Sequence, residues 1–289
     1  MSSAPAERTP RRRGRGKAAV VGPRSAFDGE SLARYYDLDL ADDPGDLPLY
    51  LAWAQRVTGP ILELGAGTGR LAVPLAMAGH AVTAVDVDGH MLKRARDGWR
   101  RERPRGRSKD GPSATGSLTL LRRDMRTLRV DERFGLVILA LNTLLQLGDA
   151  ASQRQAIAVM ARHLRPDGVA VLDVWLPAGG DLAMYDGRLG LEWMRQDPET
   201  GDQVTKSVSA RYDAATATTS LVTIFDAWSS ADLLVRRVAR TDVLRLISTD
   251  ELRAMVEASG MIVERLAGDH QMGPWGPGVE RVVLVGRLV

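Results

Sequence analysis

The chain has 289 residues, 44% hydrophobic and 26% charged, with a formal net charge of +3 and no cysteine. That length suits one α/β domain with an elaboration, and the composition is that of a soluble globular protein able to bury a sizeable core. Without cysteine, disulfides, thiolate metal sites and cysteine nucleophiles are excluded. Four histidines (His80, His90, His163 and His270) are too few for a His-rich centre, so no metal is expected.

The charge is unevenly spread. Residues 1–25 hold Arg8, Arg11, Arg12, Arg13, Arg15, Lys17 and Arg24 against Glu7 alone, so the remaining chain is mildly acidic. Residues 1–27 are expected to be a basic, disordered tail that aids solubility, or one that makes loose contact with nucleic acid or an acidic partner. No apolar run approaches the ~18 residues of a membrane helix, and the basic N-terminus has no apolar stretch behind it. A cytoplasmic location without membrane association is expected.

From residue 60 the pattern alternates short apolar runs with helical periodicity, as in a mostly parallel sheet flanked by helices. Residues 60–65 (Pro-Ile-Leu-Glu-Leu-Gly) predict a buried strand ending in a glycine turn, and Arg70 to Gly79 a helix. Strand Ala81–Asp86, helix His90–Arg100 and strand Leu118–Arg122 follow. Consecutive aliphatics from Phe134 to Leu141 predict a central strand buried on both faces. Helix Ser152–Leu164 then leads through the turn Pro166-Asp-Gly168 into strand Val169–Trp175. The breaker-rich, basic segment Arg101–Ser117 is predicted to be a mobile loop at the strands' N-terminal edge, away from the carboxyl edge where ligands bind in such sheets.

Between about Asp186 and Ser248 the pattern becomes strict alternation. The stretches around Leu191–Arg195, Val204–Tyr212, Thr218–Trp228 and Leu234–Leu246 are separated by turn-formers, which predicts an antiparallel meander with one buried face. Ser248-Thr-Asp-Glu251 reads as a reciprocal capping box opening a helix, with Gly260 after its end. Two strands, Met261–Ala267 and Val279–Leu288, close the chain. The expected architecture is α/β: a doubly wound, mostly parallel seven-stranded sheet carrying an inserted antiparallel β cap. The main domain spans 28–175 and 248–289, and the cap spans 176–247.

The chemistry concentrates in Leu62-Glu-Leu-Gly-Ala-Gly-Thr-Gly-Arg70, between a strand and a helix, where glycines let the backbone approach a ligand. Asp86 ends the next strand, where it can accept from a ribose. The third glycine comes one residue earlier than in the dinucleotide fingerprint, and Arg70 stands in its place. Glu63 beside the turn would repel a pyrophosphate and welcome an ammonium group.

These residues resemble the class I S-adenosylmethionine-dependent methyltransferases, whose fold is Rossmann-like, from about Tyr35 to the end of the chain. Residues 63–70 are close to the family's first motif. Val85-Asp-Val-Asp88 with Met91 and Leu92 is similar to the second, Arg123-Asp-Met-Arg126 to the third, and Ala140–Leu145 to the region after the fourth strand. His163-Leu-Arg-Pro-Asp-Gly168 resembles the turn before the fifth. The resemblance implies S-adenosyl-L-methionine as cofactor, with Gly65, Ala66 and Gly67 under its methionine part and Glu63 on its amino group. Arg70 is counted with this set. Asp86 would hold the ribose, Val87 and Met91 the adenine faces, Asp124 and Met125 the adenine edge, and Leu141 and Asn142 the methionine end. Tyr35-Tyr36-Asp37 looks like an aromatic lid.

The implied reaction is in-line transfer of a methyl group to a nitrogen or oxygen of a small molecule. Candidate catalytic residues are Tyr36 and, between the last two strands, Asp269 and His270 as base or substrate ligand. Trp193, Tyr212 and Trp228 of the meander are expected to divide between packing and an acceptor pocket. An RNA methyltransferase is the first alternative. The Pro-Pro-aromatic motif of amino-base enzymes is replaced by Asn142-Thr-Leu-Leu145, and carbon-5 cytosine chemistry lacks its cysteine. The second alternative is a non-catalytic protein that binds the same cofactor.

Overall fold

The computed structural model describes residues 28–103, 116–177 and 179–289. The basic tail, 1–27, and most of the expected mobile loop, 104–115, lie outside the described residues. Two sheets organise the fold. The first has seven strands in the order β10-β11-β5-β4-β1-β2-β3. These are β1 (Ile61–Leu64), β2 (Ala81–Asp86), β3 (Ser117–Arg122), β4 (Phe134–Leu139), β5 (Leu164–Trp175), β10 (Met261–Ala267) and β11 (Arg281–Leu288). β1 to β5 run parallel, and only β11 runs against its neighbours. The strand order reverses between β1 and β4, so their carboxyl ends flank a natural ligand crevice.

The helices α3 (Ala72–Met77), α4 (Gly89–Glu102), α5 (Ala150–His163) and α7 (Thr249–Ala258) cover the sheet. All six residues of β4 are buried, and from Leu136 onward they alternate between two cores. Phe134, Val137 and Leu139 pack with α5 and α7, while Leu136 and Ile138 pack with α3 and β11. That alternation is why an uninterrupted aliphatic run belongs in the centre of a doubly covered sheet. Among the described residues, no helix is long and apolar enough to cross a membrane.

The second sheet is the expected meander, β6 (Asp186–Gln196), β7 (Gln203–Asp213), β8 (Thr218–Trp228) and β9 (Leu234–Arg245), antiparallel throughout. Its inner face rests on a helix that the sequence pattern did not announce, α1 (Gly29–Asp39), which is followed by α2 (Leu47–Arg56). α1 is capped by Asp28, which accepts from the Ser31 amide at 3.1 Å. Leu32, Tyr35 and Leu38 form a small core with Val204, Phe225 and Val238 of the meander. The Phe225 ring lies 5.3 Å from Tyr35 and 6.0 Å from Trp193, centre to centre. Short polar helices of this kind are held by packing rather than propensity. A five-residue helix, α6 (Gly179–Ala183), links the two sheets and was likewise unannounced.

Two local expectations are corrected. Pro166-Asp-Gly168 does not precede β5 but lies inside it: Leu164 and Val169 pair with Phe134 and Leu136, so residues 165–168 bulge out of the ladder. The capping box is half formed. Ser248 accepts from the Glu251 amide at 3.2 Å, but the Glu251 carboxylate turns away to Arg245 at 2.7 Å, a charge-assisted bond that outcompetes a backbone donor. Gly260 does follow the helix, at φ +88°.

Phe225→Ala should cost about 3–5 kcal/mol, as deletions of buried aromatics do, because Phe225 joins the meander to α1. Urea unfolding measures the loss, and an unchanged unfolding free energy would show that the two do not rest on each other.

Candidate functional site

The turn from Gly65 to Gly69 joins β1 to α3 at the carboxyl edge of the sheet. Its φ values of +72°, +55° and +83° at Gly65, Gly67 and Gly69 lie in the left-handed region. At Gly65 space is also decisive: a Cβ would sit 2.3 Å from the Thr143 methyl. The Gly65 and Ala66 amides both donate to the Val85 carbonyl, at 2.8 and 3.0 Å, which ties the turn to β2. Asp86, at the end of β2, accepts from the Gly67 amide at 2.8 Å and from the Asp88 amide at 2.9 Å. Burial raises its pKa despite those bonds.

A cleft of about 460 Å³ opens over this turn, lined by Tyr36, Gly65, Gly67, Asp86, Val87, Met91, Asp124 and Met125 among the predicted residues. The Tyr36 ring covers the turn, 3.6 Å from where a Cβ on Gly67 would stand. Burial pushes its phenol up to about 12, so it stays protonated and can donate but not act as a base. Asp124 is held by Arg126 through Nη2 at 2.6 Å and through the backbone amide at 2.8 Å, and the Arg126 side chain keeps it below the usual carboxylate range.

Beneath the turn lies a buried polar cluster. Glu63 is 4% exposed, and its Oε2 has no hydrogen-bond partner among the described residues; nor has the hydroxyl of the fully buried Tyr50. Burial lifts the Glu63 carboxyl to about 8, opposed by the Arg70 charge and an amide bond from Ala72. Arg70 forms a bidentate pair with the fully buried Asp46 at 2.5 and 2.7 Å and faces a separate cleft beside α4. A buried acid with an unmatched oxygen is costly, and this one can accept a cationic donor. Ala66 is buried within the turn.

The remaining predicted residues lie beyond β4. Leu141 and Asn142 adopt positive φ, +44° and +62°, which is rare outside glycine. Asn142 Oδ1 accepts from the Trp175 amide at 2.6 Å, and the Leu141 amide points at Asp173 Oδ2, 3.4 Å away. His270 does not line the main cleft. Its Nε2 pairs at 2.9 Å with the buried Asp173, which also takes Arg281 at 2.5 Å, and it faces a third cleft with Trp175. Asp269 caps its own loop through the Gly273 amide at 2.8 Å. Of the three candidate catalytic side chains, only Tyr36 stands with the glycine turn.

The meander supplies what the sequence reading missed. None of Trp193, Tyr212 and Trp228 lines the main cleft; Arg240 and Asp242 of β9 do, with Thr143 and Gln146 from the far wall. Trp193 is used for packing, and its indole donates to Asp39 at 2.8 Å. The i, i+2 spacing of Arg240 and Asp242 within an alternating strand was the available signal.

Raising Glu63 from 4.5 to about 8 means that the folded chain holds a proton the unfolded chain releases. The stability tied to this group is intact below about pH 4.5 and lost as the pH rises toward 8. Glu63→Gln should therefore gain melting temperature relative to wild type between pH 5 and pH 8, and a gap constant across that range would contradict the burial of an ionisable Glu63.

Residues 61–168 match the family model described as a methyltransferase domain. The chain is 32% identical over 167 residues to a cypemycin N-terminal methyltransferase from Streptomyces sp., covering 55% of this chain and 61% of that protein. It is 30% identical to the dTDP-3-amino-3,4,6-trideoxy-alpha-D-glucopyranose N,N-dimethyltransferase of Streptomyces venezuelae, over 56% and 62%. The chain thus spans about three fifths of the length of these curated relatives. Among solved structures, an S-adenosylmethionine-dependent methyltransferase from Clostridium acetobutylicum superposes with a TM-score of 0.73 at 15% identity, over 89% of this chain and 98% of that one. The seven-stranded sheet thus shares the fold of that methyltransferase structure, and the residues that match the methyltransferase-domain model run from its first strand into its fifth.

Proposed function

We propose that the chain transfers a methyl group from S-adenosyl-L-methionine to a nitrogen of a small-molecule acceptor. The observation that carries this reading is the unmatched Glu63 oxygen under a glycine turn, with Asp86 on the next strand. An α-ammonium group would satisfy Glu63, and Asp86 has lone pairs left for ribose hydroxyls after its two backbone bonds. Val87 and Met91 flank the space for an adenine, with Asp124 and the Met125 backbone at its edge. Gly65, Ala66 and Gly67 give the methionine part its floor, and Leu141 and Asn142 form the wall at its end. Arg70 acts one layer behind, holding Asp46 and α2 against the turn.

The bound cofactor supplies an already electrophilic methyl, so the protein's task is to hold the acceptor atom on axis. Tyr36 closes the cleft from above and offers a donor. An acceptor nitrogen is favoured over oxygen because the relatives' names specify an N-terminal methyltransferase and N,N-dimethyltransferases.

Calorimetry with S-adenosylhomocysteine tests the reading, with NAD as the control that should not bind. Asp86→Asn removes one carboxylate oxygen and the charge. Charge-assisted bonds are worth roughly 1.5–3 kcal/mol each, so affinity should fall about tenfold or more, and unchanged affinity would remove Asp86 from the site. With the Glu63 carboxyl at about 8 in the free chain, binding an ammonium at pH 7 should expel close to one proton, seen as a buffer-dependent enthalpy. Affinity should rise with pH toward 8. Glu63→Gln should abolish the proton release, and its persistence would move the ammonium elsewhere.

A further inference from the structure

The inner face of β9 runs Val238, Arg240, Asp242, Leu244 by strand alternation. Its ends are apolar and packed: Val238 in the small core over α1, and Leu244 against the core beside α5. Between them two charged residues face the main cleft, opposite the glycine turn. They are 32% and 28% exposed and pair with each other, Arg240 Nε to Asp242 Oδ2 at 2.5 Å. A buried sheet face would ordinarily carry apolar side chains here.

The other carboxylates lining the cleft are occupied by their own wall. Asp86 holds the Gly67 and Asp88 amides, Asp88 caps α4 through the His90 amide, and Asp124 is bound by Arg126. No histidine lines the cleft, and Tyr36 keeps its proton. An amine enters protonated and must lose a proton before its lone pair can attack. Asp242 is the carboxylate on the acceptor's side, and its described hydrogen bond is to Arg240 alone.

Building on the methyltransferase reading, we propose that Arg240 and Asp242 form the acceptor-recognition pair, and that the acceptor is a small amine that also carries a carboxylate or phosphate. Asp242 replaces Arg240 by the acceptor's ammonium and takes one N–H proton, leaving the nitrogen lone pair free; that proton passes to water after transfer. Arg240, released, takes the acceptor's anionic group, so each member of the opened pair regains an opposite charge. An amine without an anionic group would satisfy Asp242 and strand Arg240 in a partly buried cleft.

The test uses the full chain with S-adenosylhomocysteine bound and two pairs of probes: phosphoethanolamine against ethanolamine, and glucosamine 6-phosphate against glucosamine. Thermal shift and calorimetry read binding, and S-adenosylhomocysteine formation from S-adenosylmethionine reads transfer. The phosphorylated member should bind at least tenfold more tightly in at least one pair. Arg240→Gln should erase that preference, and Asp242→Asn should weaken both members, each leaving S-adenosylhomocysteine affinity within twofold. Equal binding within both pairs, no response to any probe, or a matching loss of S-adenosylhomocysteine affinity in the variants overturns the proposal. Failure of the wild-type chain to bind S-adenosylhomocysteine would instead overturn the parent reading.

Discussion

The last turn of α1 ends in a carboxylate, Asp39, that accepts from the Trp193 indole at 2.8 Å and from the Lys206 ammonium at 2.7 Å. Lys206 also reaches Glu192. Through these bonds, and the ring packing beneath them, the antiparallel sheet is fastened to a helix that belongs to neither sheet. The same helix sends Tyr35 into that packing and, one residue on, Tyr36 over the glycine turn. A rotation of about 100° per residue thus lets two adjacent tyrosines serve a structural face and a cleft face. The height of the meander above the turn is set by how α1 sits.

The floor of the site is governed by a second constraint, the burial of acids. Glu63 and Asp46 both lie at or below 4% exposure. Asp46 is neutralised by the fork of Arg70, the geometry best suited to a buried carboxylate. Glu63 faces the same guanidinium only at a distance, and desolvation prevails. The result is one matched acid that holds α2 in place beside one unmatched acid that is ready for a ligand.

Much of this was legible in the chain itself, for identifiable reasons. β1, β2 and β4 are apolar runs with few competing structures, and the meander declares itself by alternation broken by turn-formers. The glycine turn, Asp86 and Tyr36 carry their chemistry locally. What escaped depends on partners far away in sequence. α1 and α2 are short and are stabilised by packing that no local pattern reveals. His270 sits in a breaker-rich loop suited to chemistry, yet it is engaged by Asp173, a lone acid inside the apolar run of β5. The meander's aromatics were expected to divide between packing and an acceptor pocket, and none of the three lines the main cleft. In the fold Trp193 packs on the core over α1 and Tyr212 on the core beside α5, and the charged Arg240 and Asp242 face the opening.

The two sides of α1 differ in how much apolar packing backs their ion pairs. Toward the meander an apolar core, Leu32, Tyr35 and Leu38 against Val204, Phe225 and Val238, backs the bonds of Asp39. Toward α4 stand the ion pairs of Lys93 with Glu30 and Arg94 with Asp37, on side chains that water reaches. Mobile ions screen such exposed pairs and leave hydrophobic contacts intact. Ionic strength therefore bears hardest on the α4 seam, whereas on the meander side the apolar core holds α1 even where salt weakens the pair of Asp39 with Lys206.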